Sequence, residues 1–146
     1  MDNLNNKDYQ EYAKKKVPKP TYLKNIIFAF LVGGAICTVG QIISHYFSSI
    51  GLDLKMTSAA TAISLVFIGA LLTGLGVYDK IGKVGGAGAA VPITGFANAI
   101  VSPAMEFKRE GYIFGVASKM FVIAGPVLVY GIGSSIIVGI ISLLIR

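Results

Sequence analysis

Apolar positions in this chain gather into four long runs free of charge: Asn25 to Leu52, Met56 to Tyr78, Val84 to Met105 and Met120 to Ile145. Short charged patches separate them, at Asp53 and Lys55, at Asp79, Lys80 and Lys83, and at Glu106 to Glu110. A helix needs about 20 apolar residues to cross the hydrocarbon core of a bilayer. The pattern predicts an all-α, polytopic membrane protein of about four transmembrane helices, with three to five crossings left open. The first span is expected over Tyr22 to Phe47 and the second over Thr57 to Tyr78. Gly111 to Arg146 is too long for one span. Gly125-Pro126 is expected to divide it and leave Val127 to Ile145 as the last crossing.

The third run is long enough to span but is a poor regular helix. Gly85, Gly86, Gly88 and Gly95 loosen it, and Pro92 and Pro103 each remove a backbone donor. Asn98 sits in its middle with an amide that must find a partner. Non-helical backbone is tolerated at membrane depth only where protein or a water-filled cavity satisfies it. The stretch reads as a Gly/Pro-broken or re-entrant element lining a path or a close helix interface. The alternative is a glycine-rich packing helix with two kinks. If the run crosses, Glu106 to Glu110 lies outside; if it dips and returns, that patch is cytoplasmic. The patch has two acids and two bases, and its lack of Lys/Arg excess favours the outer side.

Charge then orients the chain. Only 14% of the 146 residues are charged, against about 25% in soluble domains, and the mean hydropathy is +0.72. Six of the thirteen Lys and Arg residues precede the first apolar run, within the first 24 positions. This makes residues 1–21 a basic cytoplasmic segment and residues 22–146 the transmembrane domain. The net charge of +6 therefore speaks for topology and anionic lipid, not nucleic acid. Tyr9, Tyr12 and Lys14 to Lys16 suit a short interfacial helix, ended by Pro18 and Pro20. That segment reads as a solvated topogenic tail before it reads as a lipid or partner dock. The basic region is long, the first apolar run is full-length and no small-residue cleavage site follows, so no signal peptide is expected.

Candidate chemistry is sparse. Gln41, Ser44 and His45 share one helical face, and a polar face late in a span points into protein or water. His45 is the only histidine, which excludes a histidine-built metal site within one subunit; it is a boundary residue or a pH-sensitive group. The lone Cys37 can form no internal disulfide. Lys119 is the one cation lodged in a long apolar segment. Either it attracts a carboxylate or pairs with Glu106 or Glu110, or it snorkels to the headgroups. GGAGAA opens no βαβ unit and is not a dinucleotide fingerprint. No catalytic set, metal cluster or cofactor site is expected, and an enzyme is disfavoured.

Four stretches carry a more specific likeness: FLVGGAICTVGQ (Phe30–Gln41), ALLTGLGVYDKIG (Ala70–Gly82), GAGAAVPITGFANAIVSPAMEFKREG (Gly86–Gly111) and GVASKMFVIAG (Gly115–Gly125). They resemble the AC/AE-type family of stage V sporulation membrane proteins, small membrane proteins of endospore-forming bacteria. The N-terminal YAKKKVPKP, Tyr12 to Pro20, fits the AC type better. The resemblance implies a membrane complex at the forespore and spore inner membrane, with the N-terminus on the spore-core side. Its other stage V A subunits would be the partners, in a homo- or hetero-oligomer. It also implies transport of dipicolinic acid as its calcium chelate, inward in sporulation and outward in germination, through a channel responsive to membrane tension. The residues themselves suggest where a path would run: Gly85, Gly86, Gly88, Pro92, Asn98, Pro103 and Lys119. The rival reading is a structural or regulatory subunit beside a pore formed by another protein.

Overall fold

A computed structural model describes residues 6–16 and 21–145, with side chains from residue 9 onward; the expectations about Pro18, Pro20 and Arg146 lie outside the described residues. Most of the described chain is helical, and no strand occurs among the described residues. Helix α1 is Asn6–Lys16, and α2, Tyr22–Ser49, and α3, Leu54–Gly74, form an antiparallel pair. The Ile50–Asp53 turn between them follows a Schellman cap: Gly51 takes φ +86° and Leu52 N–H bonds the Phe47 carbonyl. Gly76, at φ +67°, ends α3 in the same way, with Val77 N–H on the Leu72 carbonyl.

The third run is broken, and it is re-entrant. It comprises α4, Tyr78–Gly85, the single turn α5, Ala87–Ala90, and α6, Ile93–Glu106. Gly69 of α3 lies against Thr94 and Ala97 of α6, and Thr73 lies against Asn98. Further on, the residues from Thr73 to Gly76, with Asp79, share a cleft with Ser102 and Glu106. Positions rise together along both helices, so α6 runs parallel to α3. It therefore emerges at the end where α4 entered. Lys83 shares a cleft with Thr21 and Lys24, which puts the start of α2 at that same end. The tip packs near Gly33 of α2, about 13 Å past Lys24 at 1.5 Å per residue, or nearly half of a ~30 Å hydrocarbon core. Of the two paths left open for Glu106–Glu110, this geometry matches the one that returns to the end holding Asp79, against the side that the charge balance favours. A patch with as many acids as bases is weak topological information, and the glycine contacts that fold the run back are tertiary.

Two further breaks expected from proline do not occur. Pro103 stays inside α6, and Pro126 stays inside the last helix, which runs from a π-helical turn, Tyr112–Ala117, into α7, Ser118–Ile145. Gly125 has no Cβ to crowd the Pro126 ring, which eases the usual restriction on the residue before proline. The continuous run Tyr112–Ile145 covers 34 residues, about 51 Å, and crosses once with length to spare. Among the described residues three helices, Tyr22–Ser49, Leu54–Gly74 and Tyr112–Ile145, are long and apolar enough to cross a membrane. The broken element supplies the remaining membrane-embedded segment.

This topology predicts labelling. In a Cys37→Ser background, Lys108→Cys and Lys80→Cys should react with an impermeant maleimide from one side of the membrane and Asp53→Cys from the other. Labelling of Lys108→Cys together with Asp53→Cys would contradict the re-entrant path.

Candidate functional site

A helix interrupted in lipid leaves carbonyls and N–H groups without helical partners, each costly if unmet. Gly86, between α4 and α5, has φ +49° and ψ −123°, a conformation that side chains resist. The second interruption is at Val91–Pro92, where Pro92 precedes α6 in an extended conformation, φ −62° and ψ 163°. The carbonyl of Ala89 lies at this second break. The Tyr78 hydroxyl donates to it at 2.7 Å and lies 2.8 Å from the Thr94 hydroxyl, which can donate in return. Tyr78, Ala89 and Thr94 are buried, at 3%, 1% and 4% exposure. One phenol from the entry of the hairpin thus ties its tip to the start of its return arm. The Gly95 N–H adds a 2.8 Å bond to the Pro92 carbonyl.

Close backbone approach seats the tip. A Cβ on Gly88 would collide with the Ala29 carbonyl of α2, and one on Gly95 with the carbonyls of Ala89 and Ala90. A Cβ on Gly69 would sit 2.9 Å from Thr94 Cα, and one on Gly33 3.3 Å from the Gly88 carbonyl oxygen. Gly85 is buried against Val32. Small residues bring helices together where lipid offers no hydrophobic drive.

Asn98 stands one turn beyond Thr94, half-buried, with its amide 2.9 Å from the Thr73 hydroxyl. That hydroxyl also lies 2.7 Å from the Gly69 carbonyl. It carries one proton, so both contacts are met when Thr73 donates to Gly69 and the Asn98 NH₂ donates to Thr73; amide orientation is assigned from such networks. Above this pair, toward the end where the hairpin enters, opens a cleft of about 520 Å³, bordered by Thr73, Gly76, Asp79, Ser102, Met105 and Glu106. The site is thus a narrow polar seam, Tyr78–Thr94 and Thr73–Asn98, beneath a mouth bearing two carboxylates.

Of the residues singled out from the sequence, Gly85, Gly86, Gly88 and Pro92 meet at the hairpin tip, and Asn98 faces the seam. Pro103 lies toward the mouth, half-buried in α6. Lys119 does not line that cleft; its Nζ is 4.4 Å from the centre of the Phe107 ring, next in sequence to Glu106, a cation–π contact. Gln41, Ser44 and His45 lie apart, in the half of α2 beyond Gly40, where Gln41 and His45 are exposed and Ser44 is half-buried. Among the described residues no three His, Cys, Asp or Glu side chains gather as a metal site. Sequence reasoning passed over Tyr78, Thr94 and Thr73. Tyr78 resembles an interfacial marker beside Asp79 and Lys80, and no local signal pairs its hydroxyl with a carbonyl eleven residues away.

Residues 25–141 match the family model described as SpoVAC/SpoVAEB sporulation membrane protein. The chain is 47% identical over 135 residues to stage V sporulation protein AC of Bacillus subtilis (strain 168), covering 92% of this chain and 90% of that relative. No solved structure matches.

Tyr78→Phe should leave the buried Ala89 carbonyl without its donor and lower stability by about 1–3 kcal/mol. Denaturant unfolding in detergent, followed by circular dichroism, measures this. An unchanged midpoint would mean that the phenol does not hold the tip.

Proposed function

The chain belongs to the SpoVAC/SpoVAEB family of sporulation membrane proteins, and from that membership we propose that it is a non-enzymatic channel or transport subunit for dipicolinic acid, carried as its calcium chelate. Uptake into the forespore and release at germination would use the same path, in the inner membrane, with α1 on the core side. The observation that carries the reading is the re-entrant hairpin: polar, interrupted backbone reaches nearly to mid-membrane beside Thr73 and Asn98. Such backbone belongs where it is covered by protein or lines a water-filled path. Half-helices that end within a membrane are a recurrent way to meet ions there.

The mouth suits a cargo bearing both signs of charge. Asp79 and Glu106 border one cleft and would attract the cation. Lys83 stands at the same end, and Lys119 near it would attract carboxylates. One subunit has too few spans to enclose a wide path. Beyond Ala124, α7 is exposed almost throughout, which leaves it open to neighbours in a homo- or hetero-oligomer with other stage V A subunits. Tension-gating has a natural lever in the same geometry. Stretching the bilayer would draw α2 and α3 apart, and the Gly88–Ala29 and Gly69–Thr94 contacts that seat the hairpin join it to those two helices.

Liposomes containing this protein alone test the proposal. Dipicolinate efflux should rise under osmotic down-shock. Asn98→Leu and Lys119→Ala should each lower it severalfold while insertion and circular dichroism stay unchanged. Sealed vesicles with correctly inserted protein would favour a structural subunit beside another pore, and normal flux in both variants would remove these residues from the path.

A further inference from the structure

Two adjoining clefts lie between the start of α2 and the end of α4. The outer, about 300 Å³, is lined by Thr21, Lys24, Asn25, Phe28, Lys83 and Val84. The inner, about 390 Å³, shares Asn25, Lys83 and Val84 and adds Tyr22, Ala29 and Gly86 among others. Among the described residues no carboxylate lines either, so two lysines from different elements border one polar recess without an opposite charge in its described wall. Thr21 caps α2 without a side-chain hydrogen bond to its backbone; its hydroxyl donates instead to Oδ1 of Asn25 at 3.4 Å. The first-turn N–H groups of a 28-residue helix, with their positive dipole end, therefore remain available at its edge. Phe28, Ile26, Ala29 and Val84 make the rest of the wall apolar. The recess sits where charged residues give way to the uncharged spans, the level of the headgroups.

An occupant matched to these walls is anionic at one end and apolar at the other. We propose that the recess binds the phosphate of an anionic lipid headgroup, held between Lys24 and Lys83 near the start of α2, with the glycerol and first methylenes over Phe28 and Val84. The inference does not depend on what the protein transports. Its consequence is structural: a bound lipid joins α4 to α2 beside Gly86, and so braces the first arm of the hairpin. The same phosphate chemistry could come from a soluble phosphate, which the test separates.

The full chain in neutral detergent is titrated with phosphatidylglycerol, phosphatidylcholine or inorganic phosphate and observed by native mass spectrometry. Phosphatidylglycerol should be retained as a single bound lipid in preference to phosphatidylcholine. Lys24→Gln with Lys83→Gln should weaken it roughly thirtyfold at low salt, since each surface lysine contributes about a factor of five. Lys24→Arg with Lys83→Arg should keep it. Replacing Lys14, Lys15 and Lys16 by glutamine should also leave it in place, which distinguishes the recess from the basic tail. Circular dichroism identical to the parent establishes that each variant is folded. A folded glutamine pair that retains the lipid like the parent overturns the site. Millimolar inorganic phosphate that displaces the lipid overturns the lipid assignment in favour of a soluble phosphate.

Discussion

The structure depends on meeting the polar groups of a backbone that stops being a helix inside the apolar layer. Water is scarce there, and each unmet carbonyl or N–H costs several kcal/mol. The Tyr78 hydroxyl on the Ala89 carbonyl, with Thr94 beside it, answers that demand at the second break. The bond joins the entry of the hairpin to its tip and so sets how far the chain travels before it turns. Because Tyr78 also follows directly on the capped end of α3, the depth of the tip is coupled to the end of a crossing helix.

Close packing without side chains does the remainder. Gly88 against Ala29 seats the first arm on α2, and Gly69 against Thr94 seats the return arm on α3. Both contacts are backbone to backbone, so they tolerate no added methyl group and little change of spacing. The parallel course of α3 and α6 follows from them, as does the return of Glu106 to the end that holds Asp79. Among the described residues three helices remain long and apolar enough to cross, Tyr22–Ser49, Leu54–Gly74 and Tyr112–Ile145.

The fold separates two kinds of surface. Around the hairpin, hydroxyls, an amide and carbonyls are paired within protein, and the carboxylates Asp79 and Glu106 collect at its mouth. The distal half of α7 is the opposite case, an apolar cylinder with Val129, Tyr130, Ile137 and Leu143 all exposed. A hydroxyl there, as at Ser134 or Ser135, bonds back to the Gly131 carbonyl of its own helix. The polar work of the molecule is thus concentrated in α3 to α6, and the long helices hold that region at depth.

How much of this could be read from the residues depends on the range of the forces involved. Four uncharged runs set an all-helical membrane protein by themselves, because hydrocarbon permits little else over such lengths. Gly86 and Pro92 marked real interruptions, since a positive φ and a missing donor are local properties. Pro103 and Pro126 carried the same local signal and did not interrupt; before Pro126, Gly125 has no Cβ to crowd the ring. The partners of Tyr78 and Asn98, the placement of Lys119 beside Phe107 and the side on which Glu106–Glu110 emerges belonged to the tertiary structure alone. Composition dictates what lipid will tolerate; only the meeting of distant backbones decides whether a tolerated segment crosses or turns back.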